Sequence, residues 1–119
     1  MRYEELDAIS RPEAVIELNS RDRERVCRAL VRVTLFDVDR AWIEDWLEKF
    51  LQSEDVWIRG VAATCVGHVA RIHRALDLVR LAPLLRRLLD NPATAGKAQD
   101  AFDDIEVYIS RRSDEGPRR

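Results

Sequence analysis

Four apolar positions recur along this chain at one constant spacing. Val26, Ala29, Leu30 and Val33 reappear 36 residues later as Ala62, Cys65, Val66 and Val69, and 36 later again as Ala98, Ala101, Phe102 and Ile105. Within each set the steps are i, i+3, i+4 and i+7, which places all four side chains on one face of an α-helix. A second series leads the first: Ile43, Trp46, Leu47, Phe50 and Leu51 reappear 38 residues on as Leu81, Leu84, Leu85, Leu88 and Leu89. A helical unit repeated at this period cannot bury its stripe alone and does so against its neighbours. The pattern predicts an all-α fold of three antiparallel helical hairpins, the first with a shortened leading helix. No stretch alternates in the manner of a β-strand.

The middle unit carries an extra constraint. In Asp55–Ala75, the residues Ile58, Ala62, Cys65, Val69 and Ile72 form a core stripe, with Val66 and Leu76 at its edge. Gly60, Thr64 and Gly67 fall on the opposite side, where a surface helix would carry long polar side chains. Glycine within a helix costs about 1 kcal/mol relative to alanine, so two on one face predict a neighbour too close for a β-carbon. This helix is expected to be packed on both sides, in the middle of a surface made by the second, fourth and sixth helices.

The other boundaries follow from local signals. Ser10-Arg11-Pro12-Glu13 predicts a first helix over about 11–18, with Ala14, Val15 and Leu18 inward. A second helix is expected over about 21–35. Asp39 caps a third, whose apolar face opposes Glu44, Asp45, Glu48 and Lys49. Asp55 caps the fourth and Asp77 begins the fifth, in which Pro83 belongs in the first turn or marks a kink. The sixth is expected over about 94–110. Residues 1–110 read as one helical-repeat domain, and the Arg-rich 111–119 as a disordered tail.

Charge and composition narrow the function. Lys plus Arg number 20 against 22 Asp plus Glu, a net −2. The last nine residues hold four Arg and two acids, which leaves about −4 on residues 1–110. A mildly acidic folded part argues against nucleic acid as a partner, because such binding rests on phosphate neutralisation by a basic face. No apolar run is long enough to span a bilayer, and Met1-Arg2-Tyr3-Glu4-Glu5 is no signal peptide, so a cytoplasmic location is expected. Cys27 and Cys65 lie on core faces without a CxxC or His cluster and read as buried reduced thiols.

No catalytic constellation is visible. Nucleophile elbows, phosphate loops and HExxH are absent. His68 and His73 are five residues apart, roughly 140° around a helix, and cannot grip one ion together; each reads as hydrogen-bonded to a neighbour. Arg59 reads as a structural partner of Asp55 or of a carboxylate in the next hairpin. Neither a metal nor an organic cofactor is expected. The residues that suit a protein partner are the acids of the last helix, Asp100, Asp103, Asp104 and Glu106, and two tryptophans at the edge of the core, Trp42 and Trp57. Trp42, Trp46 and Trp57 are expected to cluster near the junction of the third and fourth helices. An edge tryptophan is also a common lid over a small core.

Several of these stretches resemble a known repeat. The leucine-rich LAPLLRRLLD, followed by Asn91-Pro92 and a second helix, looks like a HEAT repeat, and Asp55-Val56-Trp57-Ile58-Arg59 with Ala62 and Gly67 resembles the start of that repeat's second helix. The resemblance covers about residues 10–110 and implies a short HEAT-like α-solenoid. Its third unit departs from the pattern: Ala95 stands where Arg59 stands in the second, which interrupts any Asp–Arg ladder between repeats. RGVAATCVGHVARIH followed by AGKAQDAFDDI is similar to small bacterial HEAT-like proteins, some of them immunity proteins of polymorphic or contact-dependent growth-inhibition toxin systems. That resemblance implies an immunity protein that neutralises a toxin; the acids of the last helix suit a basic, nuclease-like one, and with no catalytic constellation the reading is a non-enzymatic binding protein. The competing reading is a structural or adaptor protein that self-associates as a homodimer or scaffolds another complex.

Overall fold

Each helix begins behind a side chain that accepts from the free N–H groups of its first turn. Ser10, Asp22, Asp39, Asp55, Asp77 and Asn91 fill this role in chain order, each satisfying donors that have no partner within the helix. The computed structural model describes residues 7–110, and within them six α-helices: α1 (Arg11–Leu18), α2 (Arg23–Phe36), α3 (Arg40–Phe50), α4 (Val56–His73), α5 (Leu78–Leu88) and α6 (Pro92–Ile105). A five-residue π-helical turn, Glu106–Ser110, extends α6. The protein is all-α, and the described residues contain no strand. The tail expected to be disordered, 111–119, lies outside them.

Successive helices pair as α1–α2, α3–α4 and α5–α6, and the second helices of the pairs pack side by side with α4 between α2 and α6. The 36-residue series accounts for this layer. Val26, Ala29, Leu30, Val33, Ala62, Cys65, Val66, Val69, Ala98, Ala101 and Ile105 are all buried in one core, and Phe102 packs half-buried against it. Leu47, Leu81 and Leu85 enter the same core from the first helices of the pairs.

The glycine face of α4 meets α6. A β-carbon on Gly67 would stand 2.6 Å from Asp104 Oδ2 and 3.5 Å from the Ala101 Cα, and one on Gly60 would stand 3.2 Å from Lys97 Cδ. The expectation of a helix packed on both sides therefore holds, with the closest approach at Gly67. α4 then stops at Arg74, the one described non-glycine residue with positive φ, 53°; its N–H closes the last turn on Ala70 O.

Several boundaries and faces differ from expectation. α2 begins two residues late, behind Asp22, and runs on through Phe36. α6 begins two residues early because Pro92 fits a first helical turn, where its missing N–H costs nothing. Pro83 stands in the second turn of α5, on its exposed side. Val15, Ile72 and Leu89 are exposed, not inward. Ile72 and Phe36, which are 36 residues apart, both project from the last turns of their helices and both remain exposed.

Glu44 is the largest departure. Placed by periodicity on the polar face of α3, it is only 2% exposed. Its Oε2 accepts the Asp77 N–H at 2.8 Å at the start of α5, and its Oε1 lies 3.7 Å from Arg80 and 3.6 Å from Arg40. Arg80 also reaches Asp45, Glu48 and Asp77. A buried carboxylate is tolerated only with such partners, and here they tie α3 to α5.

Candidate protein-binding surface

α6 presents its acids in two settings. One edge, carrying Lys97, Ala101 and Asp104, turns toward α4. Asp104 is half-buried there, its carboxylate over Gly67. Asp100 and Asp103 are exposed, and Asp103 Oδ1 accepts from Gln99 Nε2 at 3.0 Å, one turn back. Glu106 is exposed at the start of the π-helical turn and sits at the rim of a groove between α5 and α6, opposite Arg86, with Leu78, Ala82, Phe102 and Ile105 below. Asp100 and Asp103 therefore share an open face, Asp104 joins it at the α4 seam, and Glu106 belongs to the groove.

The tryptophans separate into two regions. Trp42 meets Trp46 edge to face at 6.3 Å between centroids, and Trp46 stacks on Phe50 at 5.9 Å. The Arg11 guanidinium covers Trp42 at 4.5 Å and pairs with Asp37 and Asp39. Trp57, in the first turn of α4, is 56% exposed and lies under Lys97 Nζ at 5.3 Å. Adjacent antiparallel helices begin at opposite ends of their hairpin, so the first turns of α3 and α4 hold Trp42 and Trp57 apart. The aromatic cluster expected at the α3–α4 junction reduces to Trp42, Trp46 and Phe50; Trp57 instead adjoins α6.

Most of the remaining candidates have local partners; His73 departs from the expectation, its Nε2 buried without a hydrogen-bond partner among the described residues. His68 Nδ1 lies 2.9 Å from Arg71 Nη2. Burial, reinforced by Arg71 and opposed by Asp104, holds its pKa below the ordinary histidine value, so the ring is neutral at pH 7. Arg59 donates to the Ser53 and Glu54 carbonyls rather than to a carboxylate. Asp55 is taken by Arg23, at 2.7 Å. Along the second helices the Asp–Arg ladder thus has this single rung among the described residues: 36 residues on from Arg23 and Asp55 stand Arg59 and Asn91, and asparagine offers no charge. Cys27 and Cys65 are buried free thiols whose pKa burial pushes up to about 11 and about 12, far from the thiolate that nucleophilic chemistry requires. Among the described residues, no three His, Cys, Asp or Glu side chains converge as a metal site would need, and no helix is long and apolar enough to cross a membrane.

Two features escaped the sequence reading: the Glu44–Arg80 network and the row of arginines on the outer side of α2. The arginines carried a signal, because the same 36-residue shift that aligns the buried stripes also aligns the exposed positions.

No protein-family model and no curated protein matches the chain significantly. Among solved structures, a chain from the crystal structure of a CDI complex from Cupriavidus taiwanensis LMG 19424 is similar to it. The two share 31% sequence identity and superpose with a TM-score of 0.78, over 91% of this chain and 97% of that one.

Proposed function

Because this chain belongs to the same family as that chain of the Cupriavidus taiwanensis CDI complex, we propose that it is a non-enzymatic protein-binding module. Its specific role is that of an immunity protein, which neutralises a basic, nuclease-like toxin of a contact-dependent growth-inhibition system by covering it in the cytoplasm. The similarity over nearly the whole length of both chains is the observation that carries this reading. The exposed acids of α6 support the sign of the partner: a nuclease that binds a polyanion is basic for its own reasons, and a complementary acidic face speeds encounter and fixes register. Trp57, large and more than half exposed beside that face, has the chemistry of an anchor.

The experiment searches the neighbourhood of the gene for a toxin domain, titrates the purified chain with that domain and measures growth rescue when both are co-expressed; a solitary gene favours the adaptor reading. Tight binding that weakens with salt is expected. Asp100→Lys with Asp103→Lys should weaken it by roughly tenfold while leaving the circular dichroism unchanged. Absence of both binding and rescue overturns the immunity role. A folded double variant that binds undiminished removes the α6 face from the site.

A further inference from the structure

The 36-residue shift that aligns the buried stripes of α2, α4 and α6 also aligns their exposed and half-buried positions into rows. Arg28, Thr64 and Asp100 form one row, and Arg32, His68 and Asp104 the next. Along the helices these become three columns. Exposed Arg21, just ahead of the α2 cap, and exposed Arg25 and Arg28 on the helix make a basic column with half-buried Arg32. Trp57, Val61, Thr64 and His68 make a largely uncharged one on α4, closed by Arg71. On α6 the column is acidic at Asp100 and Asp104, with Asp103 at its outer edge and Lys97 at its start.

Several charges in and beside the columns are already engaged. Lys97 lies over the Trp57 ring, and the Asp22 carboxylate caps α2. Arg25 pairs with Glu17 and Arg32 donates to the Asp7 and Ala8 carbonyls. Arg21, Arg28 and Asp100 have no hydrogen-bond or ion-pair partner among the described residues. Packed helices lie about 8–10 Å apart, so α2 and α6 are separated by roughly 16–20 Å across α4. That is about two Debye lengths at physiological salt, too far for the columns to neutralise each other. The mildly acidic net charge therefore conceals two patches of opposite sign on one face.

We infer that this three-helix face docks a protein whose contact surface is itself divided by charge. An acidic patch of that protein meets Arg21 and Arg28, a basic patch meets Asp100 and Asp103, and an apolar contact between them covers Trp57 and Val61. The inference rests on the immunity reading for the identity of the protein, the toxin domain, and adds that a uniformly basic surface is the wrong complement. A bare polyanion such as RNA is equally ill-matched, since the acidic column would repel it.

The test is a binding titration of that toxin domain with three variants of the full chain. Arg21→Glu with Arg28→Glu reverses the α2 patch, and Asp100→Lys reverses the α6 patch. Lys49→Glu with Arg87→Glu makes the same net-charge change as the first pair, on exposed positions of α3 and α5 outside the face. The first two variants should each weaken binding by roughly tenfold, with losses that shrink as salt rises, while the Lys49 and Arg87 pair binds as the parent does. If the α2 variant binds undiminished while Asp100→Lys does not, the split face is wrong and the acidic immunity surface survives. Equal losses from the α2 pair and the Lys49 and Arg87 pair reduce the effect to net charge and overturn the inference. A chain that ignores the toxin domain but dimerises in light scattering, or binds a labelled RNA through α2, overturns it together with its premise.

Discussion

The two layers of this protein are held together in different ways. The second helices, α2, α4 and α6, meet through small and apolar side chains, and at Gly67 the surface of α4 is close to bare backbone. The first helices α3 and α5 share apolar contacts too, but their junction is crossed by a cluster of carboxylates around Arg80, with Glu44 buried at its base. Close packing is unforgiving of added volume and indifferent to pH. A charge cluster accepts changes of shape and is sensitive to the loss of a single acceptor. The difference teaches that one layer sets the spacing of the repeat and the other its alignment.

The largest expected effect breaks the first layer. Gly67→Leu must displace the Asp104 carboxylate and press on the Ala101 backbone, and should lower stability by about 2–3 kcal/mol, the upper part of the overpacking range. Urea unfolding measures it, and an unchanged midpoint would sink the idea of a helix packed on both sides. Next comes the second layer. Glu44→Ala leaves the half-buried Asp77 N–H without its acceptor and should cost about 1–2 kcal/mol. Glu44→Gln, which keeps an oxygen there, should cost clearly less. Equal costs for the two would show that charge, not the hydrogen bond, joins α3 to α5.

A smaller effect compares the two glycines. At Gly60 an added methyl meets only the flexible Lys97 chain, so Gly60→Ala should be neutral or gain up to about 0.5 kcal/mol from helix propensity. Gly67→Ala, facing a carboxylate oxygen at 2.6 Å, should lose stability. Reversal of that order in thermal melts would move the close approach to the other end of α4.

The smallest effect concerns the exposed ion pairs at the helix ends. Arg11 beside Asp37, and Arg23 beside Asp55, hold those two carboxyls below the ordinary carboxylate value. A carboxyl depressed in the folded state contributes stability above its unfolded pKa, near pH 4, and that contribution fades as pH falls through the lower folded value. Asp37→Asn with Asp55→Asn should therefore flatten the stability profile below about pH 4 and lower it modestly above. An acid limb as steep as the parent's would remove these two pairs as its source.

Residues that repeat, and residues that cap, were legible in the sequence. The three buried stripes, the caps Ser10, Asp39, Asp55 and Asp77, the six helices and the close approach at Gly67 all follow from short-range periodicity and from hydrogen-bond needs that a helix has wherever it sits. Asp100 and Asp103 were legible as exposed acids for the same reason. Glu44 was not, because a helical wheel shows which face is polar but not that another helix begins above it and supplies an N–H and a guanidinium. Trp57 and Trp42 looked like neighbours because the loop between α3 and α4 is short, and only the antiparallel course of the hairpin sets their first turns at opposite ends. Arg59 kept a structural role but changed partner, since the position 36 residues on from Asp55 is the uncharged Asn91. The sequence by itself determined the helices, their order and the stripe each must bury, all properties of local spacing. The tertiary structure alone decided which polar groups met and which stayed in water, because a charge finds its partner in space and not along the chain.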